Sequence, residues 1–76
     1  MNKQRRGEIG DLLEQIQEIQ AEIDRLQEEE QEYYDNMPES IQNGERGEKA
    51  IEAIGYLQSA YDSFDEVIES LESAME

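Results

Sequence analysis

The chain has 76 residues and a net charge of −15, from 21 acidic and 6 basic side chains. A chain of this length forms one small domain and buries only about 60% of its unfolded surface, so we expect self-association to stabilise it. Cysteine and histidine are both absent, which excludes disulfides, Cys/His zinc sites and thiol or imidazole catalysis.

The first predicted element is a helix over about residues 11–35. Its apolar positions recur in alternating steps of three and four residues, which is the heptad spacing of a helix that packs on another helix. The predicted contact line consists of Ile9, Leu12, Ile16, Ile19, Ile23, Leu26, Glu30, Tyr33 and Met37. Asp11 and Glu14 resemble a capping box at the start. Glu30 interrupts the line, either as a carboxylate that reaches solvent or as a partner for Arg46 or Lys49.

A turn is predicted over residues 36–43, because Pro38 cannot continue a helix and Asn36 and Asn43 favour turns and caps. A second helix, over about 44–75, repeats the heptad spacing. Its contact line is Ala50, Ile54, Leu57, Tyr61, Phe64, Ile68, Leu71 and Met75. These elements predict an all-α fold, a single domain (1–76) in which an antiparallel two-helix hairpin of coiled-coil type assembles into an oligomeric helical bundle.

The second helix carries an extra row of residues, each one position before the contact line. The row comprises Ala53, Ala60, Val67 and Ala74. It widens the apolar face beyond what one antiparallel partner covers, which favours contact with a second chain and a homo-oligomer. The alternative is that the alanines only favour helix formation. Across the open end of the hairpin, basic residues near the N-terminus are expected to pair with Glu69, Glu72 and Glu76.

Catalytic motifs are lacking throughout the chain. Acidic pairs at helical spacing, as at Asp62 and Asp65, are expected by chance in a sequence so rich in glutamate and indicate a solvated face. No phosphate-binding loop, HExxH motif or EF-hand pattern is present. We therefore predict a protein that is not an enzyme and that uses no cofactor or metal.

The stretch from residue 33 to residue 49 is the most varied in chemistry, and we take it as the candidate binding site. It joins aromatic faces and neutral polar groups to two cations, where the second helix begins and its free N–H groups favour an anion. The candidate ligand-binding residues are Tyr33, Tyr34, Asn36, Ser40, Gln42, Asn43, Arg46 and Lys49. The alternative is a capped polar turn in which Tyr33 belongs to the helix contact.

The segment "EYYDNMPESIQNGERGEKAIEAI" resembles a region of short helical proteins of bacteriophages and mobile elements. Those proteins share a D-N-x-P-E-x-x-Q turn that leads into an S-E-R-x-E-K helix start, and the resemblance covers about residues 29 to 60. Gly44 stands where the pattern has serine, and Gly47 stands where an aromatic residue is often found. The resemblance implies a phage setting and a protein that counters a host defence.

Two binding functions and one structural role follow as hypotheses. The first, which we favour narrowly from the sequence, is sequestration of a small anionic nucleotide immune signal at the hairpin tip. The second is an acidic inhibitor, or DNA mimic, that binds a basic surface of a host defence protein. The third is a coiled-coil piece without a ligand. The acidic field predicts no direct binding to nucleic acid, and no apolar run reaches the roughly 18 residues of a membrane span or forms a signal peptide, so we expect the bacterial cytoplasm.

Overall fold

The computed structural model describes residues 1–76 and contains three helices and no strand: α1 (Lys3–Asp35), α2 (Glu39–Gln42) and α3 (Glu45–Ala74). The long helices α1 and α3 run antiparallel and pack along their length, which gives a rod of 58 × 15 × 11 Å. The all-α hairpin is thus confirmed. The predicted turn contains one short helix, α2. None of the helices combines the length and the apolar character that crossing a bilayer requires.

Helix α1 begins eight residues earlier than the sequence suggests. The side-chain Oδ1 of Asn2 accepts a hydrogen bond from the backbone N–H of Arg5 at 2.8 Å, so Asn2 is the N-cap. Asp11 and Glu14 lie inside the helix. Asparagine at an N-cap satisfies one of the free N–H groups of the first turn, and this explains the earlier start.

On α3 the contact line follows the predicted residues. Ala50 is buried, and the other seven positions, from Ile54 to Met75, are half-buried. The four- and three-residue steps therefore identify the face that α3 turns toward α1.

On α1 the predicted contact line is wrong at every second position. Ile9, Ile16, Ile23, Glu30 and Met37 are half-buried as expected, but Leu12, Ile19, Leu26 and Tyr33 are exposed. The residues that follow them take their places: Leu13, Gln20, Gln27 and Tyr34. Helix α1 is therefore rotated about its axis so that two glutamines face α3 and a row of large apolar side chains faces outward.

The glutamines in the contact make hydrogen bonds to α3. The Nε2 of Gln20 donates to the carbonyl of Tyr61 at 3.1 Å and to Asp65 at 2.9 Å, and the Nε2 of Gln27 donates to the side chain of Gln58 at 2.9 Å. Gln20 is buried, and these bonds satisfy its amide N–H groups. These bonds also fix the register of the two helices. Residue 20 of α1 lies level with about residue 64 of α3, and each later heptad of α1 lies level with the next earlier heptad of α3.

At the open end, the predicted ion pairs between the helices do not form. The Nε of Arg6 instead donates to the backbone carbonyl of Met75 at 3.1 Å. Because Met75 caps α3, this bond places a cation at the negative end of the helix dipole. Glu30 makes no ion pair across the hairpin, so it fits the alternative of a carboxylate that reaches solvent.

Candidate functional site

The hairpin tip is a compact backbone structure built on Pro38. Asn36 ends α1, and its N–H donates to the carbonyl of Glu32. The carbonyl of Pro38 then accepts from Ile41 and Gln42 at 2.9 and 3.0 Å, which closes α2. Proline suits this place because its fixed φ starts a new helix and it has no N–H to leave unpaired.

Gln42 and Gly47 lock the tip against the long helices. The Nε2 of Gln42 donates to the carbonyl of Tyr34 at 2.9 Å, which ties α2 back to the end of α1. Gly47 is buried in the first turn of α3, where an added Cβ would overlap the backbone carbonyl group of Gln42. Only glycine permits this approach, so an aromatic residue at position 47 is incompatible with this packing.

Two of the candidate ligand-binding residues stabilise the tip itself. Tyr34 and Gln42 are half-buried and linked by the hydrogen bond just described. The remaining six are exposed: Tyr33, Asn36, Ser40, Asn43, Arg46 and Lys49. Tyr33, which the sequence also placed in the helix contact, has 52% of its surface exposed.

The charge at the tip is negative rather than positive. The Nζ of Lys49 lies 3.3 Å from Glu45 on the surface, whereas Arg46 makes no ion pair. Residues 33–49 contain four acidic and two basic side chains, a net of −2. Glu45 and Glu48 also occupy the first turn of α3, where carboxylates already interact with the positive end of the helix dipole. The helix start is therefore a weaker anion site than the sequence suggested.

The cavity in the structure lies away from the tip, on the outer side of α1. It is an open groove of about 710 Å³ beside Ile19, Ile23 and Leu26, with Glu18 and Glu22 at its edge. The exposed apolar row of α1 and the extra row of α3 both lie on this side of the molecule. In an antiparallel pair, the positions of the two helices run around their axes in opposite directions when both are viewed from one end. The residue one place before the contact line therefore lies on the same side of the pair in both helices.

The two rows together form what we call the apolar face. It consists of Leu12, Ile19, Leu26 and Tyr33 on α1 and Ala53, Ala60, Val67 and Ala74 on α3. The register places each large side chain of α1 nearly level with one smaller residue of α3, for example Leu26 with Ala60. The opposite side is polar and contains the Gln27–Gln58 and Gln58–Asp62 hydrogen bonds.

The remaining surface is dominated by unpaired carboxylates. Only Glu22, Glu29 and Glu45 pair with a cation, so 18 of the 21 acidic side chains make no ion pair. The guanidinium of Arg25 contacts Glu22 and Glu29 at 2.9 and 2.7 Å; the hydrogen bond to Glu22 is the main cause of a pKa for Arg25 above its usual value. No group of acidic side chains has an arrangement suited to hold a metal ion.

The sequence pattern indicated the tip residues and the α3 row of the apolar face, but not the α1 row. The signal for the α1 row was a second possible contact line, because each of Leu12, Ile19 and Leu26 is followed by a residue that could also face α3. No protein-family model, curated protein or solved structure matches the chain at a significant level.

Proposed function

We propose that the protein is a non-enzymatic acidic inhibitor that presents its carboxylates to a basic, nucleic-acid-binding surface of another protein. The observation that carries this proposal is the 18 unpaired acidic side chains on a rod 58 Å long. A net charge of −15 over 58 Å is one charge per about 3.9 Å. One strand of duplex DNA carries one charge per ~3.4 Å, so the hairpin matches the charge spacing of a single strand.

The geometry suits a binding partner that normally holds DNA. The carboxylates stand on long, straight helices whose surface neighbours are about 5–6 Å apart, so they form extended rows and not a single cluster. A basic groove attracts such rows through the same long-range field that attracts phosphates, and salt weakens both interactions. The resemblance to phage proteins favours a host defence protein as the partner.

The test is capture followed by displacement with DNA. The immobilised hairpin is incubated with bacterial lysate, washed, and treated with a duplex of about 17 base pairs, which equals the rod in length. We expect the duplex, and moderate salt, to release the captured protein. Capture of proteins that duplex DNA does not displace would overturn the proposal.

A matched pair of variants assigns the binding to carboxylates. Replacing Glu28, Glu32, Glu52 and Glu66 by glutamine removes four exposed, unpaired charges and leaves the shape unchanged. At about 0.5 kcal/mol for each exposed ion pair, the fourfold variant should lose about 2 kcal/mol and bind roughly 30-fold more weakly. Arg46→Ala, which makes the tip more acidic, should bind as well as the parent.

A second candidate is sequestration of a nucleotide-like anion at the tip. The observation that favours it is Arg46, which makes no ion pair with a carboxylate. Arg46 lies one heptad before Ala53, and so on the row of α3 that shares a side of the hairpin with the exposed Tyr33. A charge-assisted bond to phosphate contributes about 1.5–3 kcal/mol, so Arg46→Ala should weaken such binding by roughly 10- to 100-fold. Calorimetry against cyclic and linear nucleotides tests this, with Glu66→Gln as the control far from the tip.

A further inference from the structure

The hairpin leaves far more surface exposed than a compact protein of its mass. Its accessible surface is 5734 Å², whereas a monomer of 8.8 kDa exposes about 4800 Å². The difference, roughly 900 Å², is close to the ~800 Å² that each partner buries in a standard protein interface. Only three of the 76 residues are buried.

The excess apolar surface is concentrated on one side of the rod. Eight large apolar side chains are exposed, and five of them belong to the apolar face, each with 42% to 52% of its surface exposed: Leu12, Ile19, Leu26, Tyr33 and Val67. Scattered exposed apolar residues are common, but a continuous row over both helices indicates a contact surface. The polar side of the hairpin offers no comparable row.

We propose that a second copy of the chain covers the apolar face, with the two tips at the same end and α1 of each copy against α3 of the other. The sizes of the side chains support this pairing. Helix α1 contributes the large residues and α3 the small ones, and a twofold axis along the rod sets large against small at every level. Leu26 would then pack beside the partner subunit's Ala60, in the groove that now lies open next to Ile19 and Leu26.

The opposite orientation, with tips at opposite ends, fits less well. It would place α1 against α1 and thus large side chains against large ones, leaving alanines to face alanines. It would also bring the flank of α1 that holds Glu22 and Glu29 against the same flank of the partner. With the tips together, this flank instead meets the flank of α3 that holds Tyr56, Ser63 and Ser70, which carries no negative charge.

If the protein mimics DNA, as proposed above, the dimer would do so better than the single hairpin. Two copies side by side carry a charge of −30 over about the same 58 Å, or one charge per about 1.9 Å. Duplex DNA carries one charge per ~1.7 Å. The pair would therefore match the charge density of a duplex, which the single hairpin does not reach.

Sedimentation of the full chain and of two matched variants tests the interface. Leu26→Glu puts a charge in the centre of the apolar face, and Gln17→Glu puts the same charge on the polar side. The parent and Gln17→Glu should sediment as dimers at micromolar concentration. Leu26→Glu should weaken dimerisation by about 100-fold or more, because one apolar contact is lost from each half of the interface. A monomeric parent, or a dimeric Leu26→Glu variant, would overturn the proposal.

Disulfide trapping tests the orientation and does not depend on a variant that destabilises the fold. The chain has no cysteine, so Ile19→Cys and Val67→Cys chains can be mixed and oxidised. With tips together, residue 19 lies level with the partner subunit's residue 67, and the mixed disulfide should predominate. Disulfides between two Ile19→Cys chains would overturn this orientation. These measurements involve no DNA-binding partner, so they test the dimer separately from the inhibitor proposal. Either proposal can be refuted while the other stands.

Discussion

Replacing Gly47 by alanine should destabilise the hairpin, although alanine is the better helix former. In an exposed helix interior this exchange gains about 1 kcal/mol. At position 47 the new Cβ would overlap the carbonyl group of Gln42, and backbone atoms must move to admit it. Overpacking of this kind costs about 1–3 kcal/mol. Movement of Gln42 also weakens its bond to the Tyr34 carbonyl, which contributes about 1 kcal/mol more.

The control is the same exchange at Gly55 in the middle of α3, where an added Cβ meets nothing within 4 Å. Gly55→Ala should therefore stabilise the protein by about 1 kcal/mol, and Gly47→Ala should destabilise it by about 1–3 kcal/mol. For a domain of this size the two variants should differ in Tm by roughly 10–25 °C. The assay is thermal unfolding followed by circular dichroism at one protein concentration, because association of the kind we propose would make Tm depend on concentration. Equal rises in Tm for both variants would refute the close approach of Gly47 to Gln42.

Three further predictions concern the cap, the helix contact and the charge. Gly44→Ser should raise the free energy of unfolding by a few tenths of a kcal/mol, because Gly44 is an N-cap without a side-chain bond. An added Cβ would meet only the carbonyl oxygens of Ser40 and Ile41, at an ordinary contact distance of 3.6 Å, so a lower stability in urea unfolding would contradict this. Gln20→Leu should change stability by less than about 1 kcal/mol, since apolar burial offsets the lost hydrogen bonds, whereas Gln20→Ala should cost about 1–3 kcal/mol in the same assay. Self-association should strengthen as salt rises, because salt screens the repulsion among the carboxylates that association brings together. Weaker association at high salt, measured by sedimentation, would contradict this.

At the tip, the types of residue predicted the position of the turn but not the contacts of each side chain. Pro38 and the asparagines correctly indicated a reversal, and the turn does lie between the two long helices. The residue types also predict that the amide of Gln42 binds a ligand, whereas in the structure this amide donates to the Tyr34 carbonyl. A side chain that can bind a ligand can equally bind the backbone, and the sequence does not show which acceptor lies within reach.

What the sequence determined by itself is the class of fold and the contact face of α3. The heptad spacing predicts two long helices, and Ala50 through Met75 indeed face α1. What the tertiary structure decided is which side of α1 faces α3. Ile9, Ile16 and Ile23 belong equally to a line through Leu12 and Ile19 and to a line through Leu13 and Gln20. Hydrophobicity favours the first line, but the tip determines the side from which α3 approaches. The close contact of Gly47 with Gln42, and the bond from Gln42 to Tyr34, hold α3 on the side of Gln20. The buried amide of Gln20 finds its partners there, and the large apolar row faces outward.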